Sequence, residues 1–270
     1  MASVPCVDCL TAYPGVADSS VNLTVVDPPY NIGFDYGEDG YEDSMSASDY
    51  ISWCRKWLSE AYRVTAADGA MWLVIGDEYA GDLKVAACDA GFHLRSWVVW
   101  YYTFGVNASK KLSRSHTHLL YFVKNEKRFV FNQDAARVPS ARALTYNDKR
   151  ASPDGRLPDD TWILRPQELP EAFAAESDTW HIPRVCGTFK ERAAGAANQL
   201  PEQLVARIIR LCSDEGHVVH DPMAGTGTVP RVAKLLNRRY LAWELHSRFS
   251  EMASARVDEV ASGAYSILDE

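Results

Sequence analysis

The tetrapeptide Asp27-Pro28-Pro29-Tyr30 has residue types that could activate an amine. Two adjacent prolines fix a rigid turn and keep the neighbouring carbonyls out of helical hydrogen bonds. The Asp27 carboxylate and the Pro28 carbonyl could then accept hydrogen bonds from one amino group, while Tyr30 stacks on the ring that carries it. Accepting both hydrogens of an arylamine localises its lone pair, so that it can attack an electrophile held in line with it. These four residues alone also fit a structural Pro-Pro turn beside a buried tyrosine.

A second candidate site is the glycine-containing segment at residues 221–228, followed by Glu244. Its glycines permit a tight turn and the close approach of a ligand, and the start of the next helix offers N–H groups to an anion. A carboxylate at Glu244, where the following strand ends, can accept hydrogen bonds from both hydroxyls of a ribose. This order of elements predicts a nucleoside cofactor. The candidate residues of the segment are Asp221, Pro222, Met223, Gly225, Thr226, Gly227 and Thr228.

Alternating strands and helices would position both sites. Apolar periodicity predicts strands at residues 21–26, 71–76, 97–102, 118–124, 217–220 and 239–243. It predicts helices at residues 48–66, 82–90, 201–211, 229–236 and 249–261, with Ser48 capping the first and an Asp68-Gly69 turn after it. The alternation indicates an α/β fold with parallel strands.

Residues 131–180 break this alternation, with five prolines and no sustained period. We expect them to form an irregular insertion. The chain of 270 residues, 47% of them hydrophobic, is long enough to bury one core. The predicted organisation is therefore a single catalytic domain made of residues 1–130 and 181–270, interrupted by the insertion.

Charge is distributed unevenly along the chain. The net charge of -8 argues against a nucleic-acid partner for the molecule as a whole, but residues 101–156 contain eleven Lys and Arg against four Asp and Glu. This asymmetry predicts a basic surface on an otherwise acidic protein. An ordinary solvated surface could have the same distribution of charged residues.

Cysteine usage and hydropathy limit the class of protein further. Cys6 and Cys9 form a C-x-x-C pair, but no second pair or histidine stands at ligand spacing, so we expect reduced thiols and no metal. No segment resembles a signal peptide or is long enough to span a bilayer. The expectation is a soluble cytoplasmic protein without membrane partners.

Together the two sites resemble those of the amino-methylating DNA methyltransferases, in the permuted group whose catalytic tetrapeptide precedes the cofactor loop. The resemblance implies a Rossmann-like sheet that binds S-adenosylmethionine, with Asp27 and Pro28 also near the cofactor. Asp8 resembles the acidic residue that meets the cofactor's adenine, and Gln199 lies in an element that flanks its methionine end. Met223 stands where the family usually has Phe, and this soft apolar side chain should keep the contact.

The resemblance also implies that residues 131–180 recognise double-stranded DNA, whose target base would be flipped out to lie beside Tyr30. Phe34, Tyr36 or Tyr41 could stack on that base or fill the gap that it leaves. A homodimer and a cognate restriction endonuclease are further partners that membership of this family would suggest. The candidate DNA-contact residues are Lys110, Lys111, Arg114, Arg142, Tyr146, Lys149, Arg150 and Arg156.

Several activities remain open at this level. Aspartate in the first position of the tetrapeptide is commoner among adenine-N6 enzymes of the family and serine among cytosine-N4 enzymes, so Asp27 favours adenine. Cytosine-N4 methylation is the main alternative. An RNA or protein amine methyltransferase is more distant, because those enzymes usually place the cofactor motif first. A non-catalytic DNA-binding relative is disfavoured by the intact Asp27, Tyr30, Gly225 and Gly227.

Overall fold

A seven-stranded sheet forms the centre of the protein in this computed structural model, which describes residues 3–36, 43–106, 109–110, 112–162, 182–185, 190–193 and 198–260. The strand order is β5-β3-β4-β2-β1-β6-β7. The strands are β1 (Val21–Val26), β2 (Thr65–Ile75), β3 (His93–Val106), β4 (Arg114–Val123), β5 (Thr161–Trp162), β6 (Val218–Asp221) and β7 (Arg239–Ala242).

The sheet is mixed, so the expectation of parallel strands is only partly correct. Strands β2, β1, β6 and β7 are parallel neighbours, and β5 is parallel to β3. Strand β4 runs antiparallel to both β2 and β3. The apolar pattern could not show this, because a strand buried on both faces has the same composition in either direction.

Helices cover both faces of the sheet. They are α1 (Cys9–Ala12), α2 (Ala47–Val64), α3 (Ala80–Asp89), α4 (Ala141–Leu144), α5 (Glu202–Cys212), α6 (Thr228–Leu235) and α7 (Ser247–Glu259). The predicted cap of α2 was wrong by two residues: Ser46, not Ser48, accepts a hydrogen bond from the Asp49 amide at 3.2 Å. One apolar cluster packs α5 and α6 on β1 and β2, and a second packs α2 and α3 on the opposite face.

The predicted Asp68-Gly69 turn is also wrong, because β2 runs through both residues. The pairing between β1 and β2 shifts register there, between Val21 and Leu23. A side chain at Gly69 would lie 2.8 Å from Thr65 Cγ2 and 2.9 Å from the Asn22 carbonyl. Glycine is therefore required at this bulge for close packing of the two strands rather than for a chain reversal.

The described part of the 131–180 segment is attached to the main core. Val138 forms an isolated bridge with Arg156, and β5 extends the sheet beside β3. Ala136, Val138 and Trp162 are buried in the apolar cluster that contains α5.

The domain boundaries remain a prediction. Within the described ranges, no helix combines the length and apolarity needed to cross a membrane.

Candidate active site

A cavity of about 700 Å³ opens at the carboxyl ends of β1, β6 and β7. Asp27 directly follows β1, Asp221 is the last residue of β6, and Glu244 lies just beyond β7. Chain connections diverge between β1 and β6, with β2 on one side and β7 on the other. Ligands bind α/β sheets at such switch points, outside the carboxyl ends of the strands.

Thirteen of the predicted catalytic and cofactor residues line this single cavity. Both sites therefore meet, although they are far apart in the sequence. The lining residues among them are Asp8, Asp27, Pro28, Pro29, Tyr30, Gln199, Asp221, Pro222, Met223, Gly225, Thr226, Thr228 and Glu244.

The tetrapeptide from Asp27 to Tyr30 is held in place by two hydrogen bonds. The Tyr30 hydroxyl donates to Asp27 Oδ1 at 2.7 Å, and the Tyr50 hydroxyl of α2 donates to the Pro29 carbonyl at 2.6 Å. Within the described ranges, no donor reaches the carbonyl of Pro28. Asp27 and Pro28 can therefore offer two acceptors to a ligand, as the sequence predicted.

Burial sets the protonation of this site. Loss of solvent raises the pKa of Asp27 to about 7, against the opposing effects of the Tyr30 hydrogen bond and the Arg184 charge. Burial also raises the pKa of Tyr30 well above its usual range, and the adjacent Asp27 charge adds to that effect. Tyr30 is thus a neutral donor, while Asp27 changes charge near neutral pH.

Asp43 and Asn31 shape the loop after the tetrapeptide. The buried Asp43 carboxylate accepts hydrogen bonds from the amides of Asn31, Ile32 and Phe34 at 2.8–3.0 Å. Asn31, which has a φ of +55°, donates its side-chain amide to the Met45 carbonyl and the Tyr79 hydroxyl. Sequence reasoning missed this pair because neither residue belongs to a periodic element or a recognised motif.

Glu244 is hydrogen-bonded to the glycine-containing segment at residues 221–228, which is called the glycine loop below. Glu244 Oε2 accepts from the Gly225 amide at 2.7 Å and Oε1 accepts from the His246 amide at 2.9 Å. Asp221 accepts from the Met223 amide at 3.1 Å, and burial, with the nearby charges of Glu244 and Asp27, raises the pKa of Asp221 well above its usual range. Each Glu244 oxygen keeps a lone pair for a further donor.

The two glycines of the loop have different surroundings. Gly225 has a φ of +52°, lines the cavity, and has nothing within 4 Å of the position where a side chain would begin. Gly227, with a φ of +80°, does not line the cavity. A side chain there would lie 2.7 Å from the Cα of Ala253 in α7. Gly227 thus allows helix packing, whereas Gly225 leaves room for a ligand.

Two other predicted cofactor residues make local hydrogen bonds. Asp8 Oδ1 accepts from the Thr11 amide and caps α1. The Gln199 side chain donates to the Glu191 carbonyl at 2.7 Å and accepts from the Ala193 amide at 2.8 Å. Gln199 therefore fixes a neighbouring loop while part of it lines the cavity.

A buried charge network supports the loop from behind, and the sequence analysis missed it. Arg256 of α7 donates to the Thr226 carbonyl at 2.8 Å and to Glu202 of α5 at 3.1 Å. Arg231 of α6 also donates to Glu202, at 2.9 Å. Three helices are thereby joined through one carboxylate. The apolar periodicity of these helices gave no sign that their polar positions were buried together.

The predicted DNA-contact residues lie mostly away from the cavity. Arg114 lines it and is paired with Asp77 at 2.7 Å and with Glu78. Lys110, Lys149 and Tyr146 are exposed, and Lys111 lies outside the described residues.

Much of the predicted positive charge in the insertion is paired locally. Arg150 and Arg142 both donate to Asp148, at 2.9 and 2.6 Å, and these bonds lower the pKa of that partly buried carboxyl. Arg156 pairs with Asp159 at 2.6 Å. The basic segment therefore presents less uncompensated charge than its composition suggested.

The cavity fits the nucleoside cofactor that the sequence predicted. Its carboxylates suit ribose hydroxyls and a positively charged sulfonium, and the open space at Gly225 lets a ligand approach the backbone. In the described part of the chain, no cluster of side chains could hold a metal ion.

Sequence comparisons identify a family of similar proteins. A family model described as DNA methylase matches residues 21–255. The type II methyltransferase M.HpaI of Haemophilus parainfluenzae is 32% identical over 97% of this chain and 76% of its own length. The DNA adenine methyltransferase YhdJ of Escherichia coli is 30% identical over 93% of this chain and 81% of its own length.

Solved structures share the fold. TTHA0409 of Thermus thermophilus, in complex with S-adenosyl-L-methionine, has a TM-score of 0.63 at 20% identity and covers 98% of this chain and 96% of its own. The cytosine-N4-specific PvuII DNA methyltransferase has a TM-score of 0.62 at 13% identity and covers 95% of this chain and 88% of its own.

Proposed function

The chain belongs to the family of N6/N4 DNA methylases, which use S-adenosylmethionine, and on that basis we propose that it methylates the N6 amino group of adenine in duplex DNA. The adenine target is supported by the likeness to YhdJ, which is named as an adenine enzyme, and by aspartate at position 27. The likeness to the cytosine-specific structure, at 13% identity, extends to the fold alone.

The observation that carries this proposal is the pair of acceptors at the end of β1. Asp27 and the Pro28 carbonyl line the same cavity as the glycine loop, and Tyr30 holds the Asp27 carboxylate through its hydroxyl. The two acceptors would take hydrogen bonds from both hydrogens of the target amine and localise its lone pair. Bound S-adenosylmethionine would supply an electrophilic methyl group on sulfur.

The same site can accept the proton that the amine has to lose after methylation. Transfer of a methyl group from bound S-adenosylmethionine would leave the nitrogen positively charged, so the nitrogen would have to lose one proton. Asp27, with a pKa of about 7, can accept that proton near neutral pH and release it to solvent. No separate base is needed before the attack.

The target base must leave the helix to reach these acceptors, because duplex stacking shields its amine. Phe34 and Tyr36 line the cavity with their rings 4.8 Å apart, and Tyr36 also stacks on His246. We assign to this aromatic wall the task of receiving the flipped base. Tyr41, the third candidate, lies outside the described residues.

The remaining site assignments are part of the same proposal. Asp8, Asp221 and Glu244 would contact the cofactor. Phosphates or base edges would be contacted by Lys110, Lys111, Arg114, Arg142, Tyr146, Lys149, Arg150 and Arg156. Residues 131–180 would act as the recognition segment. A homodimer and a cognate endonuclease remain predictions.

The test is mass spectrometry of nucleosides from unmethylated, amplified DNA treated with the protein and isotopically labelled cofactor. Labelled N6-methyldeoxyadenosine is expected, and labelled N4-methyldeoxycytidine would overturn the adenine assignment. RNA treated in parallel should stay unlabelled. Asp27→Ala should abolish labelling while retaining cofactor binding, so an active variant would remove Asp27 from the proposed mechanism.

A further inference from the structure

Asp43 is a buried residue that accepts hydrogen bonds from four consecutive backbone amides. Its Oδ1 accepts from the Asn31 amide at 2.8 Å, and its Oδ2 accepts from the amides of Ile32 and Phe34 at 3.0 and 2.9 Å. The Asp43 carbonyl accepts from the Gly33 amide at 2.6 Å. The backbone of residues 31–34 is therefore held by a single residue that is only 3% exposed.

The backbone conformation of this segment turns its amides towards the carboxylate. Asn31 has a φ of +55° and Gly33 a φ of +78°, whereas Ile32 between them has no positive φ. Such alternation directs successive N–H groups into one concave space, which suits an anion. The Asp43 carboxylate is the anion that fills this space.

The base of the loop has a separate attachment. The Asn31 side chain donates to the Met45 carbonyl at 2.9 Å and to the Tyr79 hydroxyl at 3.0 Å, and it accepts from the Met45 amide at 2.7 Å. These bonds do not involve Asp43. Loss of the Asp43 carboxylate would therefore leave the base of the loop attached, while the amides up to Phe34 lose their acceptor.

Phe34 is the member of the aromatic wall whose own amide is bonded to Asp43. Its ring lies 4.8 Å from the Tyr36 ring, and both rings line the cavity. The Tyr36 ring stacks on His246 at 5.7 Å. The wall is thus supported from two sides, by Asp43 at the Phe34 backbone and by His246 at the Tyr36 ring. Asp43 itself does not line the cavity.

We propose that Asp43 is a positioning residue that fixes Phe34 for contact with the flipped base. The contact with a base rests on the proposed function, whereas the hold on the Phe34 backbone does not. A carboxylate suits this position because both of its oxygens only accept hydrogen bonds. An asparagine of the same shape would turn an NH₂ group towards at least one of the three backbone N–H groups.

The first experiment measures this hold without using activity. Hydrogen exchange of residues 30–36 is followed by mass spectrometry in the wild type, Asp43→Asn and Asp49→Asn. Asp49 is the matched control, because its exposed carboxylate accepts from the Ser46 hydroxyl at 2.7 Å at the start of α2. Asp43→Asn should lose protection of the loop amides, and Asp49→Asn should keep it.

Unchanged exchange in Asp43→Asn would overturn the proposal. If that variant does not fold, Asp43→Ser replaces it, because the shorter hydroxyl side chain avoids placing an NH₂ group against the amides. The same loss of protection is then expected.

The second experiment compares kcat/KM for methylation of amplified duplex DNA in Asp43→Asn, Phe34→Ala and the double variant. Each single substitution should lower kcat/KM by up to about a hundredfold, the scale expected when a substrate is misplaced by about 1 Å. Cofactor affinity measured by calorimetry should stay near the wild-type value. If Asp43 acts through Phe34, the double variant should be no worse than the more damaged single variant.

Losses that add in the double variant would overturn the proposal, because Asp43 would then act independently of Phe34. A matching fall in cofactor affinity, or faster exchange with an unchanged kcat/KM, would also overturn it. If even the wild type does not methylate DNA, the proposed function fails, and the exchange experiment alone decides whether Asp43 holds the loop.

Discussion

Burial of the Asp27 carboxylate supports the proposed activity but lowers the stability of the fold. Its carboxylate is removed from water, and its pKa rises from 3.8 to about 7. The folded state therefore binds a proton more tightly than the unfolded chain, so stability falls as pH rises through this window. A hydrogen-bond acceptor is thus held in the cavity at the expense of folding stability.

Asp27→Asn should accordingly abolish methylation and stabilise the fold above pH 7. The gain should be about 2–4 kcal/mol, because each pH unit by which the pKa of Asp27 is raised corresponds to about 1.4 kcal/mol and burial of the new amide offsets part of the gain. It should shrink towards pH 4, because the wild-type carboxyl is then protonated in the folded state and increasingly so in the unfolded chain. Thermal unfolding at pH 5 and pH 8 measures this, and an equal difference at the two pH values would contradict the burial argument.

Glu244 has two roles that substitutions can separate. Glu244→Ala should weaken cofactor binding by about 1–3 kcal/mol, the usual cost of losing hydrogen bonds to a charged group. It also removes the acceptor for the Gly225 and His246 amides. Glu244→Gln retains one oxygen acceptor and should lose less. Calorimetric titration with S-adenosylmethionine compares the two, and unchanged affinity in the alanine variant would move the ribose contact elsewhere.

At the scale of elements, the loop between β6 and α6 depends on helices that support it from behind. Arg256 of α7 holds the Thr226 carbonyl, and Glu202 of α5 holds Arg256 and Arg231. Because these charges are buried, removing one partner would leave another unpaired. The shape of the cofactor loop is thus set by the packing of α5, α6 and α7.

The two loop glycines should respond differently to alanine. Gly227→Ala places a methyl group against Ala253 in a left-handed conformation, so it should destabilise the fold by about 1–3 kcal/mol. Gly225→Ala meets open space and should chiefly reduce cofactor affinity. Chemical denaturation and calorimetry on both variants provide the comparison. A larger loss of stability in Gly225→Ala would reverse these assignments.

The sequence predicted the features whose signals lie close together along the chain. It missed the features that depend on contacts between residues far apart in the sequence. The turn after β1 and the β6–α6–β7 unit were predicted well, because strand, turn and helix signals are adjacent there. The direction of β4 was not, since it depends on pairing with β2 and β3. Arg184 was missed because its contacts with Asn198 and Tyr102 join distant segments that share no motif.

At the scale of the whole molecule, DNA binding has to overcome a net charge of -8. The basic segment could do so locally, although Asp148 already binds two of its arginines. A surface that neutralises phosphates makes affinity fall steeply with salt, with a slope of about -0.9 for each phosphate on a logarithmic plot.

Replacing Lys149 and Arg150 with glutamine should flatten that slope by about one to two units. The matched control is the same replacement at Lys127 and Arg128, which are exposed beyond the end of β4 opposite the cavity. Binding to amplified duplex DNA at a series of salt concentrations gives both slopes. Equal slopes in the two double variants would remove Lys149 and Arg150 from the DNA-contact surface.

The pairing of β1 with β6 has a consequence for how the protein is made. Asn22 and Val218 are hydrogen-bonded across a sequence separation of 196 residues at the amino ends of β1 and β6, and the cavity lies at the carboxyl ends of the same two strands. A ribosome adds residues from the N-terminus onward, so Asp27 emerges long before the strand that completes its surroundings. During synthesis, the tetrapeptide that follows β1 is therefore made before the cavity exists, and the cavity is completed only when β6 and β7 join the sheet.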